Sequence, residues 1–114
     1  NAIRTVIAEG PGSQRSLVVD IGKGILVIHD DVEKLNWSME SKVVQSEPGV
    51  TINEGDLKIT TIKSNKEGRY DVELALDYNG IADIRLTGDR VVIGRRNIIV
   101  KNNGQNIIEI RVVS

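Results

Sequence analysis

The chain has 114 residues, a net charge of -1 and no cysteine. That length supports one domain with a modest core, and the missing cysteines exclude disulfides, thiolate metal sites and a cysteine nucleophile. Acidic and basic residues are interspersed, so the chain has neither the basic stripe of a nucleic-acid binder nor a polybasic membrane patch. Ile and Val total 30 residues against seven Leu and four Ala, and Phe is absent. Branching at Cβ suits a pleated surface better than a helix, so the core is expected to be aliphatic and built from strands. The single Met and the absence of Cys fit a thermophile's composition.

Ile3, Val6 and Ile7 fall at helical spacing, and Gly10-Pro11-Gly12 breaks it. Residues 1–12 are expected to be the end of a longer helix and a linker, with the β-domain over 13–114. Leu17–Ile21 and Ile25–Ile28 are strand runs on either side of Gly22-Lys23-Gly24, the pattern of a hairpin. Leu35, Trp37 and Met39 alternate with Asn36, Ser38 and Glu40, which predicts a half-buried strand. Val43-Val44 forms a short run before the turn signal Glu47-Pro48-Gly49. Asn53-Glu54-Gly55-Asp56 marks another turn, and Leu57–Ile62 is strand-like.

The clearest strand is Tyr70 to Tyr78, where five apolar or aromatic residues alternate with Asp71, Glu73, Ala75 and Asp77. Asn79-Gly80 follows, a strong hairpin signal, and Ile81–Leu86 is expected to return beside it. Gly88-Asp89 turns into Val91–Ile93. Asn97–Val100 and Ile107–Val113 form a last pair around Asn102-Asn103-Gly104. An offset of 26 residues aligns Gly68-Arg69 with Gly94-Arg95 and Ile84-Arg85-Leu86 with Ile110-Arg111-Val112. Each copy reads Gly, strand, Asn-Gly turn, strand. That is the general grammar of hairpins; the sharper alternative is a duplicated hairpin that pairs across a sandwich. About nine strands at this spacing predict an all-β fold, an antiparallel β-sandwich with a short N-terminal helical stub.

The constellations that could carry chemistry have bland readings. His29-Asp30-Asp31 with Glu33 places adjacent side chains on opposite faces of a strand, which suits a turn better than a metal. Gly22-Lys23-Gly24 lacks the phosphate-loop pattern. Asp71, Glu73 and Asp77 read as a solvated strand face; a pocket gathering two of them would favour paired-carboxylate chemistry. Arg95-Arg96 at a turn is a possible contact spot without the aromatic neighbours that single-stranded nucleic acid would need. Asn36-Trp37-Ser38 is a glycosylation sequon. Trp37, Tyr70 and Tyr78 are the aromatic candidates for ligand contact. No catalytic, metal or cofactor residue is assigned. The longest apolar run, Ile25–Ile28, falls far short of the roughly 20 residues of a membrane span.

The segment from Ala8-Glu9-Gly10-Pro11-Gly12-Ser13 through Gln14-Arg15-Ser16-Leu17-Val18-Val19-Asp20-Ile21-Gly22-Lys23-Gly24 resembles a segment of small archaeal surface proteins of the type IV pilin and archaellin kind. There, a hydrophobic helix ends in a Gly/Pro/Ser break and a strand follows. The resemblance covers the first third of the chain. It implies a β-headgroup carried by an N-terminal helix that anchors in the membrane or packs in a filament. The expected role is therefore a non-catalytic extracytoplasmic structural or interaction domain at the cell surface. Its expected partners are other surface or filament subunits or a cell-surface layer, not nucleic acid, with the membrane reached only through the upstream helix. The alternative is a carbohydrate- or small-ligand-binding β-sandwich module.

Overall fold

Alternating side chains, not the turns between them, organise this fold. The computed structural model describes residues 1–22, 24–41, 48–65 and 67–113; the expected run Val43-Val44 lies outside them. Among the described residues one helix, α1 (Ala2–Glu9), precedes ten strands: β1 (Gln14–Asp20), β2 (Ile25–His29), β3 (Lys34–Ser41), β4 (Thr51–Glu54), β5 (Leu57–Lys63), β6 (Tyr70–Asp77), β7 (Asp83–Thr87), β8 (Val91–Val92), β9 (Arg95–Asn102) and β10 (Ile107–Val112). They form a four-stranded sheet, β1-β9-β10-β7, and a six-stranded sheet, β4-β5-β6-β3-β2-β8. The fold is an all-β sandwich, as the strand count and alternation predict. One pair departs from antiparallel order: β7 and β10 run parallel, with Ile84 opposite Ile108 and Leu86 opposite Ile110.

Two expected hairpins are crossovers instead. β1 pairs with β9, whereas β2 pairs with β3 and β8, so the chain changes sheet between β1 and β2. Gly24 has a φ of 118°, and a Cβ there would collide with the Ser38 carbonyl oxygen. The bend thus needs glycine for close approach to β3. Likewise β6 belongs to the six-stranded sheet and β7 to the other. Asn79-Gly80 turns the chain across the sandwich, with Ile81 N donating to the Tyr78 carbonyl at 2.9 Å. The duplicated-hairpin reading falls with this crossover. By contrast, β9 and β10 do pair antiparallel around Asn103–Asn106, as expected. β4 and β5 also form a hairpin, with Glu54 opposite Leu57 and only Gly55-Asp56 between them.

The core lies between the sheets. Ile84, Ile98, Val100, Ile108, Ile110 and Val112 meet Leu26, Ile28, Leu35 and Val92, all buried. The helix belongs to the same core, since Ile3 and Val6 are buried within it. Helix α1 therefore packs on the sandwich through Ile3 and Val6.

Candidate functional site: an apolar cleft between the sheets

Register explains how the cleft arises. Ile52, Ile59, Leu74, Trp37, Leu26 and Val92 lie opposite one another in succession, one row across the inner face of the six-stranded sheet. Burial falls along that row. Val92 is 0% exposed and Leu26 1%, Trp37, Leu74 and Ile59 are half-buried, and Ile52 is 40% exposed. A parallel row repeats the trend: Ile28 and Leu35 are buried, Leu76 and Leu57 only half-buried. Six strands are stacked on four, and burial is weakest toward the β4–β5 end.

The result is a cavity of about 530 Å³, open to solvent. Leu57, Leu74, Leu76, Leu35 and Trp37 form one wall, and Leu17, Val19, Ile98 and Val100 form the other. The polar side chains in its lining are Asn1 and Asp56. Such a volume and an apolar wall with few polar groups are typical of a small-molecule site.

Helix α1 closes one side of the cleft, and its attachments are polar. The Asn1 side-chain oxygen caps the helix by accepting from Ile3 N at 3.0 Å and Arg4 N at 3.2 Å. Asn1 Nδ2 donates to the Tyr78 hydroxyl. Arg4 reaches the β4–β5 turn, donating from Nε and Nη2 to the two Asp56 carboxylate oxygens at 2.6 and 2.7 Å. This bidentate pair holds the Asp56 carboxyl below the usual carboxylate range. The Arg4 guanidinium also lies 5.9 Å from the Tyr78 ring centroid. At the other end of the helix, the Val6 carbonyl accepts from Asn102 Nδ2 at 3.0 Å, Ser13 Oγ at 2.9 Å and Gly10 N at 3.2 Å. Asn102 is buried, and its Oδ1 accepts from Gly104 N at 2.9 Å, so both ends of its amide are engaged.

The aromatic candidates divide. Trp37 lines the cleft. Tyr78 is fully buried behind the helix, and that burial pushes its phenol pKa up. Tyr70 begins β6 half-buried and opposite Lys63 and Ser41, away from Trp37. Asn36 lies within β3, between β2 and β6, opposite Val27 and Ala75. Its Oδ1 is buried with no hydrogen-bond partner among the described residues. A sequon in a central strand offers its amide less freely than one in a loop.

The charged constellations are distributed over the outer surface. Asp30 pairs with Arg90 at 2.6 Å, and Asp77 with Lys34 at 3.8 Å. Arg96 pairs with Asp89 at 3.0 Å. His29 is half-buried at the end of β2. Among the described residues no group of three or more His, Asp or Glu is placed to hold a metal ion. Asp71 and Glu73 do share a second depression, of about 620 Å³, with Glu40, Arg69, Met39 and Ile62. Both carboxylates there are exposed, and Arg69 lies 3.8 Å from Glu40. That depression is part of the solvated outer face of β6 and its neighbours. The apolar cleft, by contrast, is built from the inner faces of both sheets.

Asn1 and Asp56 at the cleft rim carry no sequence signal. Asp56 reads only as a turn residue, and its contact with Arg4 spans 52 positions. Comparison with protein-family models, with curated proteins and with solved structures returns no match.

Proposed function

We propose that the chain is a non-catalytic extracytoplasmic interaction domain of a pilin-like surface protein, membrane-anchored or filament-forming, as the resemblance of its first third implies. The observation that supports this reading most is the junction between helix and sandwich. α1 is tied at its start to Tyr78 and Asp56 and at its end to Asn102 and Ser13, and Ile3 and Val6 are buried in the core. A helix joined this way carries the β-domain as one rigid piece, which suits a headgroup displayed on a helical stalk. No helix among the described residues is long and apolar enough to cross a membrane, so in this reading the anchor is a separate upstream segment. The domain then works by contact with neighbouring subunits or a cell-surface layer. Exposed edges such as β1 and β4 offer unpaired backbone groups for that purpose.

Protease treatment of intact source cells tests the reading. Loss of the domain from the cell surface before lysis supports it, and protection until lysis overturns it.

A second reading, small-ligand binding, is favoured by the cleft. Its chemistry does not suit a sugar. The wall is aliphatic around one indole, and a sugar's hydroxyls would lose water there without replacement hydrogen bonds.

A further inference from the structure

The geometry points to a ligand class for the cleft: a single slender hydrocarbon chain, such as the acyl or prenyl tail of a lipid. This inference rests on the ligand-binding reading above. Four observations carry it.

First, the wall is apolar from rim to floor. Leu57, Leu74, Leu76, Trp37 and Leu17 line it half-buried, and Leu26, Ile28 and Ile110 are its fully buried lining. A chain without polar atoms loses nothing on entering it and removes apolar surface from water. Second, the cleft is long. Its lining runs across the six-stranded sheet from β5 through β6 and β3 to β2. Three inter-strand spacings make about 14 Å, a length that an extended hydrocarbon chain can follow and a single side chain does not. Third, the volume is right. At the roughly 30 Å³ that a water-sized group occupies, the cavity accommodates roughly 18 heavy atoms, the size of one long alkyl chain. Fourth, the polar groups of the lining, Asn1 and Asp56, are at the helix end, and Arg4 already neutralises Asp56 there. A polar head can remain in water at this rim while the tail is inside. A hydrocarbon between the walls makes dispersion contacts with both.

Trp37 is the chain's one tryptophan and lines the cleft, so its fluorescence reports occupancy directly. The test titrates the purified 114-residue chain with a long-chain fatty acid brominated at mid-chain, kept below its micelle concentration. A brominated short-chain acid serves as control. The expected result is saturable one-to-one quenching of Trp37 by the long acid, a rise in Tm with ligand as mass action requires, and weak quenching by the short acid. Leu74→Phe narrows the cleft at a half-buried wall position. It is expected to weaken the long acid's binding at least tenfold while circular dichroism shows the fold retained. If Leu74→Phe does not fold, the unbranched and the bulky polycyclic brominated probe are compared on the wild-type chain, where only the unbranched one should saturate. No quenching, quenching that rises linearly without saturation, or equal quenching by short and long acids overturns the proposal. Failure here combined with surface exposure in the protease experiment removes the ligand and leaves the interaction domain. Protection from protease combined with saturable quenching does the reverse.

Discussion

The two ends of the six-stranded sheet have the same chemistry and different fates. Val92 and Leu26 at one end of a single apolar row are sealed in the core, while Ile59 and Ile52 at the other end stay partly in solvent. All are aliphatic residues on the inner face of a strand. What separates them is their place in the sheet, burial falling from β8 and β2 toward the β4 edge. Burial in a sandwich is thus a property of position, and residue type alone cannot supply it. The difference also divides the molecule into a closed end that holds the fold together and an open end that keeps apolar side chains partly in solvent.

Truncating the closed end should cost most. Ile108 is fully buried in β10, and Ile108→Ala is expected to lower stability by about 2–5 kcal/mol through lost burial and the cavity left behind. Leu57→Ala at the open end should cost about 1 kcal/mol, because its side chain is only half removed from water. Urea denaturation of both variants measures the contrast, and equal losses would dissolve the distinction between the two ends.

Next comes the tight approach of the chain at Gly88. Its φ is 99°, and a Cβ would run into the Val112 carbonyl oxygen. Gly88→Ala is expected to cost about 1–3 kcal/mol from backbone strain and overpacking. Gly80 also has positive φ, but open space surrounds it. Gly80→Ala should therefore cost less, about 1 kcal/mol. A reversed order in thermal melts would show that the crossover after β6, not the approach to β10, is the tighter constraint.

The helix joins the two ends, and its polar ties can be cut one at a time. Asn102→Ala removes a buried amide that serves both the Val6 carbonyl and the Gly104 N–H. The expected loss is about 1–2 kcal/mol, with faster hydrogen exchange in residues 2–9 than in β9. Uniformly faster exchange would mean that the helix and sandwich open together.

The smallest effects are those of pH. The Asp56 pKa is lowered by Arg4, so the folded state holds this carboxylate more strongly ionised than the unfolded chain does. The stabilisation is present above the unfolded carboxyl pKa and is lost as pH falls through the lower folded value. Asp56→Asn should flatten this acid limb slightly, because the pair is solvent-exposed and screened. Tyr78 has the opposite sign. Its pKa is raised by burial, so stability is complete below the unfolded tyrosine pKa of about 10 and declines as pH climbs toward the folded value. Tyr78→Phe should remove that alkaline decline; an unchanged alkaline limb in denaturation at several pH values would assign it to other groups.

Much of this was legible before any coordinates. The spacing of Ile3, Val6 and Ile7 predicted the helix, and the alternation from Tyr70 to Tyr78 placed Val72, Leu74 and Leu76 on one face. The pairing of the strands was less legible. Asn79-Gly80 and Asn103-Gly104 look alike locally, yet one crosses between sheets and the other closes a hairpin. Positive φ at a turn allows the chain to reverse without saying which sheet receives it. Trp37 was readable as an inner-face residue, but the cleft beside it was not. Neither were its rim residues Asn1 and Asp56, which come together only when the helix packs against the β4–β5 turn.

The amino-acid sequence by itself determined an all-β chain with one opening helix, an aliphatic interior and a charged exterior, because side-chain period is a local consequence of backbone geometry. The tertiary structure alone decided the rest. It distributed ten strands as four against six, ran β7 parallel to β10, and left Leu57, Leu74 and Trp37 beside an open cleft. Those outcomes depend on which strands pair and overlap across the sandwich, and contacts at that distance leave no mark in local residue spacing.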